Sequence, residues 1–126
     1  MKRIKTGGGF EDRIGYCRAV VAQGWVHVAG TVCGVDPDTG EETGDVAAKC
    51  RGALAIIGRA LAEAGTDFAH VVRVTYMLPD QHEFPVCWPA LVETFGAHPP
   101  AATMIECGLI DPKYRIEIEV TAVLPE

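Results

Sequence analysis

One amphipathic segment of the chain constrains its fold more than any other feature. Between residues 45 and 64, apolar side chains recur at the spacing of one helical face, at Val46, Ala47, Cys50, Leu54, Ile57 and Leu61. Gly65 follows the last turn, as is typical just after a helix C-terminus. A helix with a single apolar stripe must bury that stripe against another layer, so the rest of the chain has to supply a sheet or a second helix.

Strand patterns in the rest of the chain supply that layer. Residues 16–22 and 25–30 are β-branched and aromatic runs joined by Gln23-Gly24, which predicts a β-hairpin. Residues 71–78 alternate apolar and polar side chains, with Val72, Val74 and Tyr76 on one face. These three segments are predicted strands, and a turn is predicted at residues 36–40.

The C-terminal third of the chain adds a second helix and two more strands. The helix runs to about Phe95 and starts either at Pro89, as a first-turn proline, or earlier, within residues 84–87. The strands are residues 103–107 and 115–123. The last one alternates apolar with polar side chains, Ile116, Ile118 and Val120 against Glu117, Glu119 and Thr121.

The element order β-β-α-β-α-β-β predicts an α+β fold with two helices packed on one face of a mixed sheet. The other face carries mixed residues and is left uncovered, so we expect a partner subunit to cover it. With 126 residues, 48% of them hydrophobic, the chain is predicted to form one domain spanning 1–126. Residues 1–12, which include a run of three glycines, are expected to be a loose N-terminal segment.

Charge and cysteine content exclude several classes of function. The net charge is −6 and the eleven Lys and Arg are scattered, so no nucleic-acid partner is expected. Neither a signal peptide nor an apolar run of membrane-spanning length is evident, so we expect a cytoplasmic protein without a membrane partner. The five cysteines and four histidines show no metal-ligand spacing, which predicts reduced, mostly buried thiols, no metal and no cofactor.

Three groups of residues could carry chemistry. The segment 99–104, at a strand entry, is the likeliest ligand site. Glu117 and Glu119 share one strand face, where a carboxylate can act as a general base, although such carboxylates are more often only solvated. Tyr16 and Arg18 share a face of the first strand and could bind a polar ligand, although charged residues on edge strands commonly serve only to prevent aggregation.

Short sequences along the chain resemble those of one family. They are Ile14-Gly15-Tyr16, residues 26–30, residues 38–41, residues 45–47, residues 62–65, Pro100-Ala101 and residues 116–119. From about residue 14 to residue 124 the chain resembles the Rid family of reactive intermediate deaminases, also called YjgF or L-PSP. The resemblance implies a chorismate-mutase-like fold and a homotrimer with a central β-barrel and ligand pockets between subunits. It also implies hydrolysis of amino-acid-derived imines or enamines to 2-keto acids and ammonia.

Carried over by position, the family's tyrosine falls on Tyr16, and the glutamate that orients the attacking water falls on Glu117. Other pocket positions depart from the family. The arginine that binds the substrate carboxylate is replaced by Ala102, a small hydroxyl residue by Ala29, a cysteine by Met104 and an asparagine by Trp88. With Thr103, these are the predicted substrate-binding positions.

The lost arginine changes which substrates we expect. A desolvated pair of guanidinium and carboxylate is worth about 2–5 kcal/mol by truncation. The usual 2-imino acids should therefore bind poorly, and the chain resembles an arginine-lacking branch of the family. Arg18, two residues from Tyr16, could restore the missing charge.

Several functions stay open. The first is hydrolysis of a C=N bond in a less acidic or more apolar substrate, by a deaminase-type hydrolase of reduced or altered activity. A non-catalytic ligand-binding or regulatory trimer and an ordinary 2-iminobutanoate or 2-aminoacrylate deaminase are alternatives. An endoribonuclease is disfavoured by the acidity of the chain.

Overall fold

Six strands form one mixed sheet in the computed structural model, which describes residues 1–7, 9–34, 39–42 and 45–126. The strands are β1 (Lys2–Ile4), β2 (Ala19–Ala22), β3 (Trp25–Thr31), β4 (Val71–Leu78), β5 (Ala101–Glu106) and β6 (Glu117–Val123). Their order across the sheet is β1-β2-β3-β6-β4-β5. Every neighbouring pair is antiparallel except β4 and β5, which are parallel and are connected through a helix.

Three helices accompany the sheet: α1 (Gly9–Ile14), α2 (Val46–Ala64) and α3 (Phe84–Phe95). Two short 3-10 turns, Phe68–His70 and Gln81–Glu83, precede β4 and α3. The α+β class and the mixed sheet are confirmed, and α1 and β1 are additional to the predicted order. The turn predicted at residues 36–40 lies partly outside the described residues.

The long helix α2 forms as its sequence predicts. The Asp45 carboxylate accepts a hydrogen bond of 2.9 Å from the backbone N–H of Ala47, which caps the first turn. At the other end Gly65 has a φ of 94°, a conformation that glycine adopts without strain. Ile57 and Leu61 are fully buried and form part of the single core between α2, α3 and the sheet.

The helix α3 begins earlier than Pro89 suggests. Pro85 occupies its first turn, where a missing backbone N–H costs nothing, and Pro89 lies inside the helix one turn later. The earlier of the two predicted starts, at Phe84, is therefore correct. Cys87 and Leu91 face the core, whereas Trp88 is exposed.

The predicted hairpin is confirmed, but its first strand is shorter than expected. Gln23 and Gly24 have φ values of 53° and 80°, as a two-residue type I′ turn requires. The strand β2 begins at Ala19, so Tyr16 and Arg18 lie before it rather than on it.

Three further details concern the burial of residues in β4, β5 and β6, and the first of them differs from prediction. The prediction that Val72 shares a face with Val74 and Tyr76 is wrong. The register between β4 and β6 shifts between Val71 and Arg73, and this shift leaves Val72 exposed. In β5 all six residues are exposed in the single chain. In β6, Ile118 and Val120 are buried, as the alternation predicted.

The N-terminal segment, predicted to be loose, is part of the fold. Residues Lys2–Ile4 pair with β2 in antiparallel register, and Ile4 is 2% exposed. The backbone N–H of Arg18 donates to the Ile4 carbonyl at 2.7 Å. A single buried isoleucine among basic and glycine residues gives too weak a pattern for sequence analysis to recognise.

The remaining sequence expectations concern thiols, metals and membranes. All five cysteines are reduced thiols, and three of them, Cys33, Cys50 and Cys87, are buried, as predicted. In the described part of the chain, no three potential metal ligands are gathered in one place. No helix among the described residues is long and apolar enough to cross a membrane.

The burial of Ile4 provides a test of the N-terminal strand. Ile4→Ala should lower the free energy of unfolding by about 2–4 kcal/mol, because it leaves a cavity in the core. Arg3→Ala, on the exposed face of the same strand, should change it by less than about 0.5 kcal/mol. Urea denaturation at equal protein concentrations measures both values, and a loss in Ile4→Ala as small as the one expected for Arg3→Ala would contradict the contribution of Ile4 to the core.

Candidate functional site

A β-bulge in β3 creates the centre of the candidate site. The register between β3 and β6 shifts between Val28 and Thr31, so Ala29 and Gly30 lie outside the regular ladder. The side chain of Glu117 crosses over this bulge. A Cβ atom built on Gly30 would lie 2.0 Å from Glu117 Oε2, so only glycine leaves room for the carboxylate in this position.

A cavity of about 470 Å³ opens at the bulge. Tyr16, Ala29 and Glu117, three of the residues singled out from the sequence, line it together. The rest of its wall is mainly apolar and comes from α1, β3 and the segment before β6, at Phe10, Ile14, Gly30, Val32, Ile110 and Tyr114. The cavity thus combines one carboxylate and one phenol with an apolar surround, which is typical of a small-molecule site.

The Glu117 carboxyl group has an altered acidity. Partial burial raises its pKa above the ordinary value, the nearby Glu119 charge raises it further, and Arg18 lowers it by a smaller amount. Glu119 itself is exposed on the same strand face. The Glu117 carboxylate is therefore a stronger base than an ordinary surface carboxylate.

Arg18 lies behind the cavity, and its guanidinium forms hydrogen bonds with other residues of the chain. Its Nη1 donates to the Gly30 carbonyl oxygen at 3.0 Å and to Thr31 Oγ1 at 2.7 Å, and its Nη2 donates to the Tyr16 hydroxyl at 3.2 Å. The Nε atom lies 3.8 Å from the buried Glu11 carboxylate. Because the two N–H groups of Nη1 are both used, this geometry does not favour the hypothesis that Arg18 replaces the missing carboxylate-binding arginine.

A second cavity, of about 250 Å³, contains the other predicted positions. Trp88, Ala102 and Met104 line it, between α3 and the start of β5, with Pro99 and Pro100 at its edge. Its wall is almost wholly apolar. Thr103 points to the opposite face of β5, where its hydroxyl accepts a 2.8 Å hydrogen bond from Arg73.

Within one chain, six of the predicted site residues therefore fall into two separate groups, and Arg18 and Thr103 line neither cavity. Tyr16, Ala29 and Glu117 share the first cavity, and Trp88, Ala102 and Met104 share the second. Sequence reasoning did not single out Gly30 or Glu11. Gly30 has no side chain that could indicate a chemical role. Glu11 lies within residues 1–12, which the sequence predicts to be loose.

Comparisons with known proteins bear on this arrangement. A family model described as Endoribonuclease L-PSP matches residues 10–124. A 2-iminobutanoate/2-iminopropanoate deaminase of Rattus norvegicus is 33% identical over 109 residues, which cover 86% of this chain and 79% of the relative. The Homo sapiens protein of the same name is 31% identical over 109 residues, with the same coverage.

Solved structures agree with these matches. A member of the YjgF/YER057c/UK114 family from Mycobacterium tuberculosis has a TM-score of 0.88 and 34% identity, covering 98% of each chain. A YjgF family protein from Neisseria meningitidis, NMB1025, has a TM-score of 0.78 and 29% identity over 98% of this chain and 95% of that one. The fold is thus that of an α+β protein of the YjgF type. The chain belongs to the Rid family, also named YjgF or L-PSP.

The raised pKa of Glu117 predicts a pH-dependent effect on stability. In the folded chain the ionised carboxylate is disfavoured, so at pH 7 it lowers stability, and this loss disappears below the pKa that Glu117 has in the unfolded chain. Glu117→Gln should therefore raise the melting temperature at pH 7 and lose this advantage as the pH falls towards 4.

Thermal unfolding between pH 4 and pH 8 measures this difference. Glu93→Gln, which changes an exposed carboxylate on α3, is the matched control and should show no such trend. A Glu117→Gln variant that gains stability at pH 4 rather than at pH 7 would contradict the direction of the pKa shift.

Proposed function

We propose that the chain hydrolyses the C=N bond of a small imine, with Glu117 as general base. The observation that carries this proposal is the Glu117 carboxylate, half-buried with a raised pKa and held against the Gly30 bulge in a cavity that also contains Tyr16. The identity of relatives named as 2-iminobutanoate/2-iminopropanoate deaminases supports the reaction class.

The chemistry needs one base and one hydrogen-bond donor. The Glu117 carboxylate accepts a proton from water as the water oxygen bonds to the imine carbon and the C=N π electrons move to nitrogen, and that proton is then delivered to the nitrogen. In the resulting carbinolamine, Glu117 takes the hydroxyl proton as the carbonyl forms and the C–N bond breaks, and it passes this proton to the departing amino group, which leaves as ammonia. One imine and one water give one carbonyl compound and one ammonia, and no cofactor is consumed.

The proposed site is completed by a neighbouring copy of the chain in a homotrimer. Two features of the single chain support association. The edge strand β5 exposes all six of its residues, which include Met104 and Ile105, and an uncovered edge strand of this kind readily pairs with another chain. Trp88 and Val92 are also exposed beside the second cavity. In the proposed trimer this apolar cavity faces the Glu117 cavity of the next copy, and β-sheet faces surround a central barrel.

The proposed substrate is less acidic or more apolar than a 2-imino acid. Ala102 and Met104 offer no charge to a substrate carboxylate, and Trp88 adds a large apolar surface. Relative to a site with a paired arginine, about 2–5 kcal/mol of carboxylate binding is missing. An imine with an aliphatic or aromatic side chain and no carboxylate fits this composition better.

One alternative has a specific observation in its favour. Relatives near one-third identity carry the name 2-iminobutanoate/2-iminopropanoate deaminase, which favours ordinary deamination of 2-imino acids despite Ala102. A non-catalytic ligand-binding trimer is the outcome if no imine is turned over. The endoribonuclease description of the family model finds little support in a chain with a net charge of −6.

A matched pair of carboxylate variants tests the role of Glu117. Imines are generated in situ by amine and amino-acid oxidases, and ammonia release above the uncatalysed rate is measured. Glu117→Gln should lower kcat/KM by about 100- to 10,000-fold, the usual contribution of a general base. Glu119→Gln should retain turnover and shift the acid limb of the pH profile to lower pH, because removing the Glu119 charge lowers the pKa of Glu117. Equal losses in both variants would contradict a distinct role for Glu117.

A gain-of-function variant tests the proposed substrate preference. Ala102→Arg should raise kcat/KM for 2-iminobutanoate relative to an uncharged imine by about 10- to 100-fold, because it restores a partner for the carboxylate. Ala55→Arg adds the same charge on the exposed face of α2, outside both cavities, and should change this ratio little. A parent chain that already prefers 2-iminobutanoate, with no gain in Ala102→Arg, would favour the ordinary deaminase instead.

A further inference from the structure

Arg18 is a buried arginine whose hydrogen bonds lead to the candidate site. Its side chain is 9% exposed, and its guanidinium carbon lies 5.5 Å from the centre of the Tyr16 ring. Its Nη2 donates to the Tyr16 hydroxyl oxygen at 3.2 Å, while Nη1 is held by the carbonyl of Gly30 and the hydroxyl of Thr31. The ring and the hydroxyl of Tyr16 are thus both in contact with one fixed cation.

Glu11 holds this arginine from the other side. Its carboxylate is 4% exposed, and Oε2 lies 3.8 Å from Arg18 Nε. Thr6 donates to the same carboxylate through its backbone N–H, at 3.2 Å, and through its hydroxyl. A buried ion pair of this kind adds little stability, because desolvation offsets the attraction between the charges, so its position beside Tyr16 points to a role in the site.

The hydrogen bond fixes the direction of the Tyr16 proton. A guanidinium has only donors, so the phenol oxygen accepts from Arg18 and cannot donate to it. The phenol proton is left for a different acceptor. Tyr16 lines the cavity that contains Glu117, and the proposed function binds the substrate nitrogen in that cavity.

We propose that Glu11 and Arg18 form a positioning pair that presents the Tyr16 hydroxyl as a hydrogen-bond donor to the nitrogen of the C=N substrate. This inference rests on the proposed function and deepens it. Tyr16 is the catalytic residue that touches the substrate, whereas Arg18 acts through Tyr16 and Glu11 acts through Arg18. Arg18 is therefore not a receptor for a substrate carboxylate.

A double-mutant cycle on turnover distinguishes positioning from a general structural effect. The four proteins are the parent, Tyr16→Phe, Arg18→Gln and the double variant, assayed with an imine that the parent hydrolyses. Arg18→Gln should lower kcat by about tenfold with a smaller change in KM, and it should have almost no further effect in the Tyr16→Phe background, because the hydroxyl is already absent. Arg51→Gln changes an exposed arginine on α2 that lines neither the Glu117 cavity nor the smaller cavity beside Tyr16 and Arg18, and it should leave kcat unchanged.

An equal loss from Arg18→Gln in both backgrounds would overturn the proposal, as would a loss confined to KM for carboxylate-bearing substrates. If Arg18→Gln does not fold, Glu11→Gln replaces it in the same cycle. Glu11→Gln keeps the shape of the side chain and removes its charge, and it should give a smaller loss that also vanishes in the Tyr16→Phe background.

A readout without turnover separates this inference from the proposed function. The chain is labelled with 3-fluorotyrosine, and Tyr16→Phe assigns the ¹⁹F resonance of Tyr16 among the three tyrosines. Glu11→Gln should shift that resonance, and Arg51→Gln should not. An unmoved Tyr16 resonance in Glu11→Gln overturns the positioning pair whatever the activity. A parent that hydrolyses no imine overturns the proposed function, while a shifted resonance still supports the hold of Glu11 and Arg18 on Tyr16.

Discussion

The pairing of β6 between β3 and β4 is the constraint on which the rest of the structure depends. The last strand of the chain occupies the middle of the sheet, so Ile118 and Val120 bury one face against the helices while Glu117 and Glu119 face the other way. The same pairing brings the Glu117 side chain against Gly30, in the irregular part of β3. One strand therefore supplies both the centre of the core and the carboxylate of the candidate site.

Features with a regular period were predictable from the sequence. The apolar stripe of α2, its glycine stop, the Gln23-Gly24 turn and the alternation along β6 each express a local rule, and each is found in the structure. Features that depend on distant partners were not. The exposure of Val72 follows from a register shift against β6, and the burial of Ile4 follows from the pairing of β1 with β2.

The candidate site shows the same division. The resemblance to a known family was enough to select Tyr16, Ala29 and Glu117, which the fold brings to one cavity, and Trp88, Ala102 and Met104, which it brings to another. The burial of Arg18 was not predictable, because its counter-ion Glu11 lies on α1, a helix that the sequence pattern did not reveal. A charged residue just before a strand looks the same in sequence whether it is solvated or buried.

The close approach of Glu117 to Gly30 makes these two positions a joint constraint on evolutionary change. A side chain at position 30 and a carboxylate in its present place at position 117 exclude each other, because they would occupy the same volume. A descendant of this chain that acquires alanine at position 30 must therefore move or lose its carboxylate. Among relatives, the residue before the threonine that ends β3 becomes a marker for whether the base is still in use.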